Sequence, residues 1–297
     1  MGHVQEYRYR VVDVFTEHPL EGNALAVFLD ASAMDATTMQ RVARELNLAE
    51  TAFILPPTRT DCAARVRIFT PTKEMLFAGH PTIGTSFVLL DEGILPRNTG
   101  AFLLEENIGP VAVRVEAGAR PMLWLTTPPI ESGRCYDPVL CANVLGLNTD
   151  DLLDVAPQRL SAGNPTMYVA LRDKLAVDRA WLDMTGARQL RGSDAEFMCV
   201  FVFTPTAEGA YSRMFAPEYG VVEDPATGSS TGPLAAFMMR HGLVANSSGT
   251  RWVSEQGTKM GRRSYLHVHV RGDNGADGID IGGHVTPVSV ATMRLAR

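Results

Sequence analysis

The sequence predicts an α+β protein of two similar halves, each a curled, mostly antiparallel sheet wrapped around one central helix. Three observations predict it. The first is an internal duplication. Arg67-Ile68-Phe69-Thr70-Pro71, followed by His80-Pro81-Thr82-Ile83-Gly84-Thr85-Ser86, has a counterpart in Arg213-Met214-Phe215-Ala216-Pro217, followed by Asp224-Pro225-Ala226-Thr227-Gly228-Ser229-Ser230. Both copies read R-x-F-x-P, a short gap, then His or Asp and P-x-x-G-x-S. They lie nearly half of the 297-residue chain apart. The second observation is that the helical stretches behind both copies offer no charged face, and a helix apolar all round is a buried one. The third is a succession of strand patterns without regular β-α-β alternation, which disfavours a doubly wound sheet.

In chain order, residues 7–15 are rich in aromatic and β-branched side chains and read as a strand. Gly22-Asn23 marks a turn, and 24–29 a second strand. Residues 35–46 predict a helix, with Met39, Val42, Ala43 and Leu46 on one face. The connector Asn47 to Thr51 leads into a strand at 52–55. Strands follow at 65–69 and 75–78, and Gly79-His80-Pro81 opens the first apolar helix, running to about residue 90. Further strands are predicted at 102–104, 111–115 and 122–125. Thr126-Thr127-Pro128-Pro129 is the best link between halves, giving a first domain of 1–126 and a second of 127–297. The sequence leaves open that the last strand, about 287–297, returns to the first. The second half reads as a helix at 138–145, strands at 158–161 and 167–171, a short helix at 180–184 and a strand at 197–203. A strand-like run at 212–215 precedes the second apolar helix, 233–241, and strands follow at 251–254, 265–270, 278–281 and 287–293. Asp224 before Pro225 predicts an N-cap, and an exposed helix start lined by small residues is a ready anion site.

Composition narrows the function. A hydrophobic content of 45% with 20% charged residues suits a globular chain with real cores. The net charge of −6 and the lack of a basic run argue against a nucleic-acid partner. No apolar run suggests a membrane span or a signal core. Cys62, Cys135, Cys141 and Cys199 show no C-x-x-C spacing, so neither a zinc site nor a disulfide framework is expected, and a reducing cytoplasm is the expected setting.

Three ordered motifs carry the chemistry: Leu48-Ala49-Glu50-Thr51-Ala52-Phe53, Ala78-Gly79-His80-Pro81-Thr82-Ile83-Gly84-Thr85 and Glu223-Asp224-Pro225-Ala226-Thr227-Gly228-Ser229. With Asp13-Val14-Phe15-Thr16, Gly22-Asn23, Glu255-Gln256-Gly257 and Met260-Gly261-Arg262, they resemble the PhzF-like phenazine-biosynthesis isomerase family over most of the chain. The resemblance implies the diaminopimelate-epimerase-like fold, with the active site between two like domains, and a homodimer. It implies a cofactor-free, metal-free isomerase acting on a small cyclic carboxylic acid, as on trans-2,3-dihydro-3-hydroxyanthranilate. Carried over, Glu50 is the general acid/base, His80 and Asp224 are helix-cap residues that contact substrate, and Gly79 and Ser229 are small residues beside the ligand. Gly228 and Ser230, in the same helix start, complete the expected binding set. Proton transfer at carbon needs one base that can take the proton and return it, and a desolvated carboxylate can do both. Helix-start N–H groups suit the substrate's own carboxylate.

Plainer and rival readings stand beside this one. Glu50 could be a solvated helix-end charge, and His80 and Asp224 purely structural caps. Racemases of this fold use one cysteine from each half, but the matching loops here carry Gly79-His80 and Glu223-Asp224, which disfavours a thiolate mechanism. Gly228-Ser229-Ser230-Thr231-Gly232 fits G-x-S-x-G, with Asp273, Asp280 and His284 in triad order, so a serine hydrolase using Ser230 is an alternative. A non-catalytic ligand-binding member of the fold is another. His267-Val268-His269 has metal-like spacing but no evident third ligand.

Overall fold

A computed structural model describes residues 4–192 and 199–296. The chain divides into two compact units, residues 1–126 with 282–297, and residues 127–281. The segment that joins the first unit from the far end of the chain thus begins at 282, ahead of the expected 287.

In the first unit, β1 (Val4–Val14) lies antiparallel to β2 (Asn23–Phe28) on one side and to the C-terminal strand, Val285–Ala296, on the other. Helix α1 (Ala36–Leu46) crosses over to β3 (Glu50–Leu55), which is parallel to β2. β4 (Ala64–Phe69) is antiparallel to β3 and carries the two-residue β5 (Glu74–Met75). After helix α2 (Gly79–Asp91) come β6 (Ala101–Glu106), parallel to β4, and then β7 (Gly109–Glu116) and β8 (Met122–Thr126), each antiparallel to the strand before. Helix α2 touches β1, β2, β3, β8 and the C-terminal strand, so the sheet curls around it. Eleven of its thirteen residues are buried, and it shows no charged stripe to solvent. Gly84 makes the enclosure possible, since a Cβ there would stand 2.6 Å from Leu25 and 2.8 Å from Val14. Helix α1 covers the outer face. Asp35 caps it by accepting from the Thr38 N–H, and Met39, Val42 and Ala43 pack with Phe28, Phe53 and Phe69.

The second unit repeats this plan. β9 (Glu131–Cys135) and helix α3 (Pro138–Val144) lead to β10 (Gln158–Ser161), which pairs antiparallel with β9 and with β11 (Thr166–Ala170). Helices α4 (Lys174–Arg179) and α5 (Met184–Arg191) precede β12 (Cys199–Thr206), parallel to β11. β13 (Gly209–Ala216) is antiparallel to β12 and carries the short β14 (Val221–Asp224). Helix α6 (Gly228–Arg240) comes next, then β15 (Arg251–Gln256), parallel to β13, β16 (Ser264–Arg271), antiparallel to β15, and β17 (Gly278–Gly283). The steps from β1 to β7 and from β10 to β16 are the same: antiparallel pair, parallel crossover over a helix, antiparallel pair, short hairpin strand, inner helix, parallel strand, antiparallel strand. This is the predicted pair of curled sheets around central helices. Inside the second, Phe237 of α6 packs against Tyr168 and, edge-on, Phe203.

The repeated R-x-F has a physical reason. Arg67 binds both carboxylate oxygens of Glu74 at 2.7 and 2.6 Å across the β4–β5 hairpin and lies over the Phe69 ring. Arg213 binds both oxygens of Glu223 at 2.9 Å across β13–β14 and lies over Phe215. A planar guanidinium suits both contacts at once. Each hairpin so fixed runs directly into an inner helix.

Several expectations are corrected. The second inner helix begins at Gly228, with Pro233 inside it, rather than at 233. The helix N-caps are Ala78 and Thr227, neither making a side-chain cap bond, so His80 and Asp224 are not caps. The predicted helix at 180–184 is the break between α4 and α5, whose caps are Asp173 and Asp183. These two aspartates are the sequence signal that was there to be used. The strand expected at 75–78 is only β5. Of the strand expected at 197–203, Phe197 and Met198 lie outside the described residues. Among the described residues no helix is long and apolar enough to cross a membrane.

Two stability outcomes are expected. Gly84→Val overfills the space between α2 and β2 and should cost about 1–3 kcal/mol in a denaturant titration. Arg213 is buried and also donates to the carbonyls of Val177, Asp178 and Ala180. Arg213→Ala strands these acceptors and Glu223 together and should cost about 3–5 kcal/mol, read in the same titration.

Candidate active site

In the first unit, Glu50 is the first residue of β3, and His80 is the second residue of α2, behind Gly79. Asn23, at the start of β2, brings its Nδ2 to 3.2 Å from His80 Nδ1. An amide N–H donating there leaves the ring proton on Nε2. That atom stands 3.5 Å from Glu50 Oε2. The His80 side chain is only 3% exposed, and burial lowers its pKa to about 3. The ring is therefore neutral near pH 7, and the contact with Glu50 is that of a dipole with a carboxylate rather than an ion pair. Glu50 keeps 15% of its side chain open. Sequence reasoning put Glu50, His80 and Gly79 forward. It read Asn23 only as a turn residue, though its place beside Gly22 in a family motif was the available signal.

In the second unit, Asp224 ends β14, and its carboxylate accepts from the Thr227 hydroxyl. Gln256, the last residue of β15, accepts from the Thr227 N–H at 3.1 Å and donates to the Asp224 carbonyl at 2.7 Å. One side chain thus ties the end of β14 to the start of α6 and satisfies a helix-start amide. Gly228 and Ser229 open the helix, and Asn164 donates to the Ser229 hydroxyl at 3.1 Å. Asn164, in the turn between β10 and β11, and Gln256 were not expected as site residues, although Gln256 stands in the Glu255-Gln256-Gly257 motif.

Ser230 faces the other way. It is fully buried, its hydroxyl lies 3.2 Å from that of Thr166, and its carbonyl accepts from the Tyr168 hydroxyl at 2.8 Å. That is a side chain fixing α6 within its sheet rather than an exposed nucleophile. The other triad candidates have their own contacts: Asp273 caps the Ser248 N–H, Asp280 pairs with Arg271, and His284 Nδ1 lies by the Pro121 carbonyl. Each unit's sheet is mixed and mainly antiparallel, unlike the parallel sheet of a nucleophile elbow. Burial pushes the Cys62 thiol up, and the Cys141 thiol to about 12, so neither favours a thiolate. Among the described residues no group of three or more His, Cys, Asp or Glu is placed to hold a metal ion, and His267 and His269 lie on partly buried β16 positions.

Comparison with known proteins bears on the family and the fold. Residues 12–291 match the family described as phenazine biosynthesis-like protein. An uncharacterized isomerase of Mesorhizobium japonicum is 36% identical, covering 96% of this chain and 98% of that protein. The trans-2,3-dihydro-3-hydroxyanthranilate isomerase of Pseudomonas chlororaphis is also 36% identical, over 90% of this chain and 91% of that enzyme. Among solved structures, a PhzF-family phenazine biosynthesis protein of Bacillus anthracis superposes with a TM-score of 0.87 at 22% identity, covering 97% and 99% of the two chains. Fold and motifs together define an isomerase of the epimerase-like class. The chain belongs to the phenazine biosynthesis-like, or PhzF, family.

Burial of His80 has a measurable consequence. Its ring nitrogens, followed by NMR, should show no titration near the ordinary 6.5 and should hold the Nε2–H tautomer from pH 5 to 9. Because the folded value lies below the unfolded one, His80 makes folding less favourable as pH falls from about 6.5 toward about 3. A ring that titrates near pH 6.5 in the folded protein would contradict this account.

Proposed function

We propose that the protein is a cofactor-independent isomerase that moves a proton on a small cyclic carboxylic acid, with Glu50 as the group that carries the proton. The observation that carries this reading is the Asn23–His80–Glu50 arrangement. A buried, neutral imidazole with its tautomer fixed presents an N–H toward a carboxylate that is itself partly open. A neutral imidazole brings no positive charge to that carboxylate. Glu50 can then take a proton from carbon and return it at another position, the two halves of an allylic shift. His80 orients the substrate and Asp224 takes the matching part in the second unit. Gly79 in the first unit, and Gly228 and Ser229 in the second, each stand at a helix start whose N–H groups suit a carboxylate. Relatives bearing the name trans-2,3-dihydro-3-hydroxyanthranilate isomerase support a dihydroaromatic amino acid as the substrate class.

In this reading Glu50→Gln keeps the shape of the side chain and removes the base. Turnover of trans-2,3-dihydro-3-hydroxyanthranilate in deuterated water, followed by absorbance and mass, should fall about 10²–10⁴-fold, with ligand affinity little changed. Wild-type rates and deuterium incorporation in that variant would show that another group carries the proton.

A further inference from the structure

Glu106 is a carboxyl group that the proposed chemistry does not use, and it is 5% exposed. It ends β6, as Gln256 ends β15. The two positions correspond by register: Arg65 pairs with Glu105 where β4 meets β6, and Tyr211 with Glu255 where β13 meets β15, each arginine or tyrosine two residues before the arginine of R-x-F. The next residue is Glu106 in one unit and Gln256 in the other. Gln256 secures the start of α6 through Thr227. Glu106 reaches the first turn of α2, with Oε1 2.6 Å from the Thr82 hydroxyl oxygen. That hydroxyl also lies 2.8 Å from the Ala78 carbonyl. A carbonyl can only accept, and Thr82 has one hydroxyl proton. Both bonds form together only if Glu106 supplies a proton of its own. Its second oxygen, Oε2, is buried without a hydrogen-bond partner among the described residues, which suits an uncharged acid far better than an anion.

We infer that Glu106 is a positioning residue, a neutral carboxylic acid that clamps the first turn of α2, and with it His80, as the Gln256 amide clamps the start of α6. Among the described residues no cation lies against it. Glu105, next to it, accepts from Thr58 and Arg59 and lies 4.0 Å from Arg65. Glu74 is taken by Arg67 and Asn107. His80, in the same turn of α2, is neutral, and the β7 residue paired with Glu106 is Gly109. Burial raises the Glu106 pKa to about 8, opposed only by the Thr82 bond.

The test uses Glu106→Gln and Glu106→Ala in the full chain. A carboxyl raised in the folded state makes folding less favourable as pH climbs from about 4.5 to about 8, because the unfolded chain gives up its proton first. Glu106→Gln has no such proton. Its melting temperature should therefore gain on wild type between pH 5 and pH 8, and curves that stay parallel would overturn the neutral clamp. Amide hydrogen exchange at residues 79–82 reads the positioning itself. Glu106→Gln should match wild type there at pH 6, while Glu106→Ala, folded elsewhere, should exchange at least about tenfold faster. Equal protection in all three proteins would overturn the positioning role. The catalytic consequence rests on the isomerase reading above. Glu106→Gln should keep wild-type kcat and lose any decline above about pH 8, whereas Glu106→Ala, which also lacks the titrating proton, should show a lowered kcat at every pH. Absence of turnover by all three, with the melting and exchange results as expected, would count against that reading and leave the clamp standing.

Discussion

A helix with no polar face can exist in water only if something encloses it, and that constraint shapes both units. Enclosure by a curled sheet satisfies the apolar side chains of α2 and α6. It leaves only the helix ends to be reconciled with a dry interior. The first-turn N–H groups have no intrahelical acceptors. Polar side chains reach each helix start from elsewhere in the chain, to a backbone N–H in the case of Gln256 and to first-turn hydroxyls in the cases of Asn164 and Glu106. Gln256 and Asn164 reach the start of α6, and Glu106 reaches the first turn of α2. Polar chemistry is thereby concentrated at the inner-helix starts, where Gly79, His80, Gly228 and Ser229 stand.

The Arg–Glu hairpins set the direction of approach. Arg67 with Glu74, and Arg213 with Glu223, hold the strand leading into each inner helix in one orientation. In the more buried Arg213–Glu223 pair, removing one member is far more costly than the net worth of the pair, because the remaining charge is left largely out of water. The duplicated R-x-F is thus a scaffold element. In the proposed chemistry its products, the positions of His80 and Asp224, are what matter. Asn23 adds the last constraint in the first unit by fixing which nitrogen of His80 carries the proton, a detail that decides whether the ring presents a donor or an acceptor to Glu50.

The helices missed by sequence reasoning show what local signals leave out. Residues 228–232 are small and polar, and Pro233 argues against a helix running through it. The helix nevertheless starts at Gly228, because Thr166 and Tyr168 of β11 and Asn164 of the turn before it hold its first turn. Tertiary bonds outweighed a local preference of a few kcal/mol. Conversely, α4 and α5 carry ordinary aspartate caps at Asp173 and Asp183, local signals that the expected helix at 180–184 passed over.

By itself the sequence determined the two-unit plan, since repeated motifs and uncharged helices are properties of residue order and hydrophobicity, which no packing detail can alter. It also brought Glu50, His80 and Asp224 forward, because each sits in a motif contiguous along the chain. Only the tertiary structure decided the protonation and orientation of these groups. The neutrality of His80 depends on its burial, its tautomer on Asn23, and the environment of Glu106 on its meeting Thr82, 24 residues away, in a dry interior. Charge states follow from what surrounds a group in space, and a linear order of residues does not contain those neighbours.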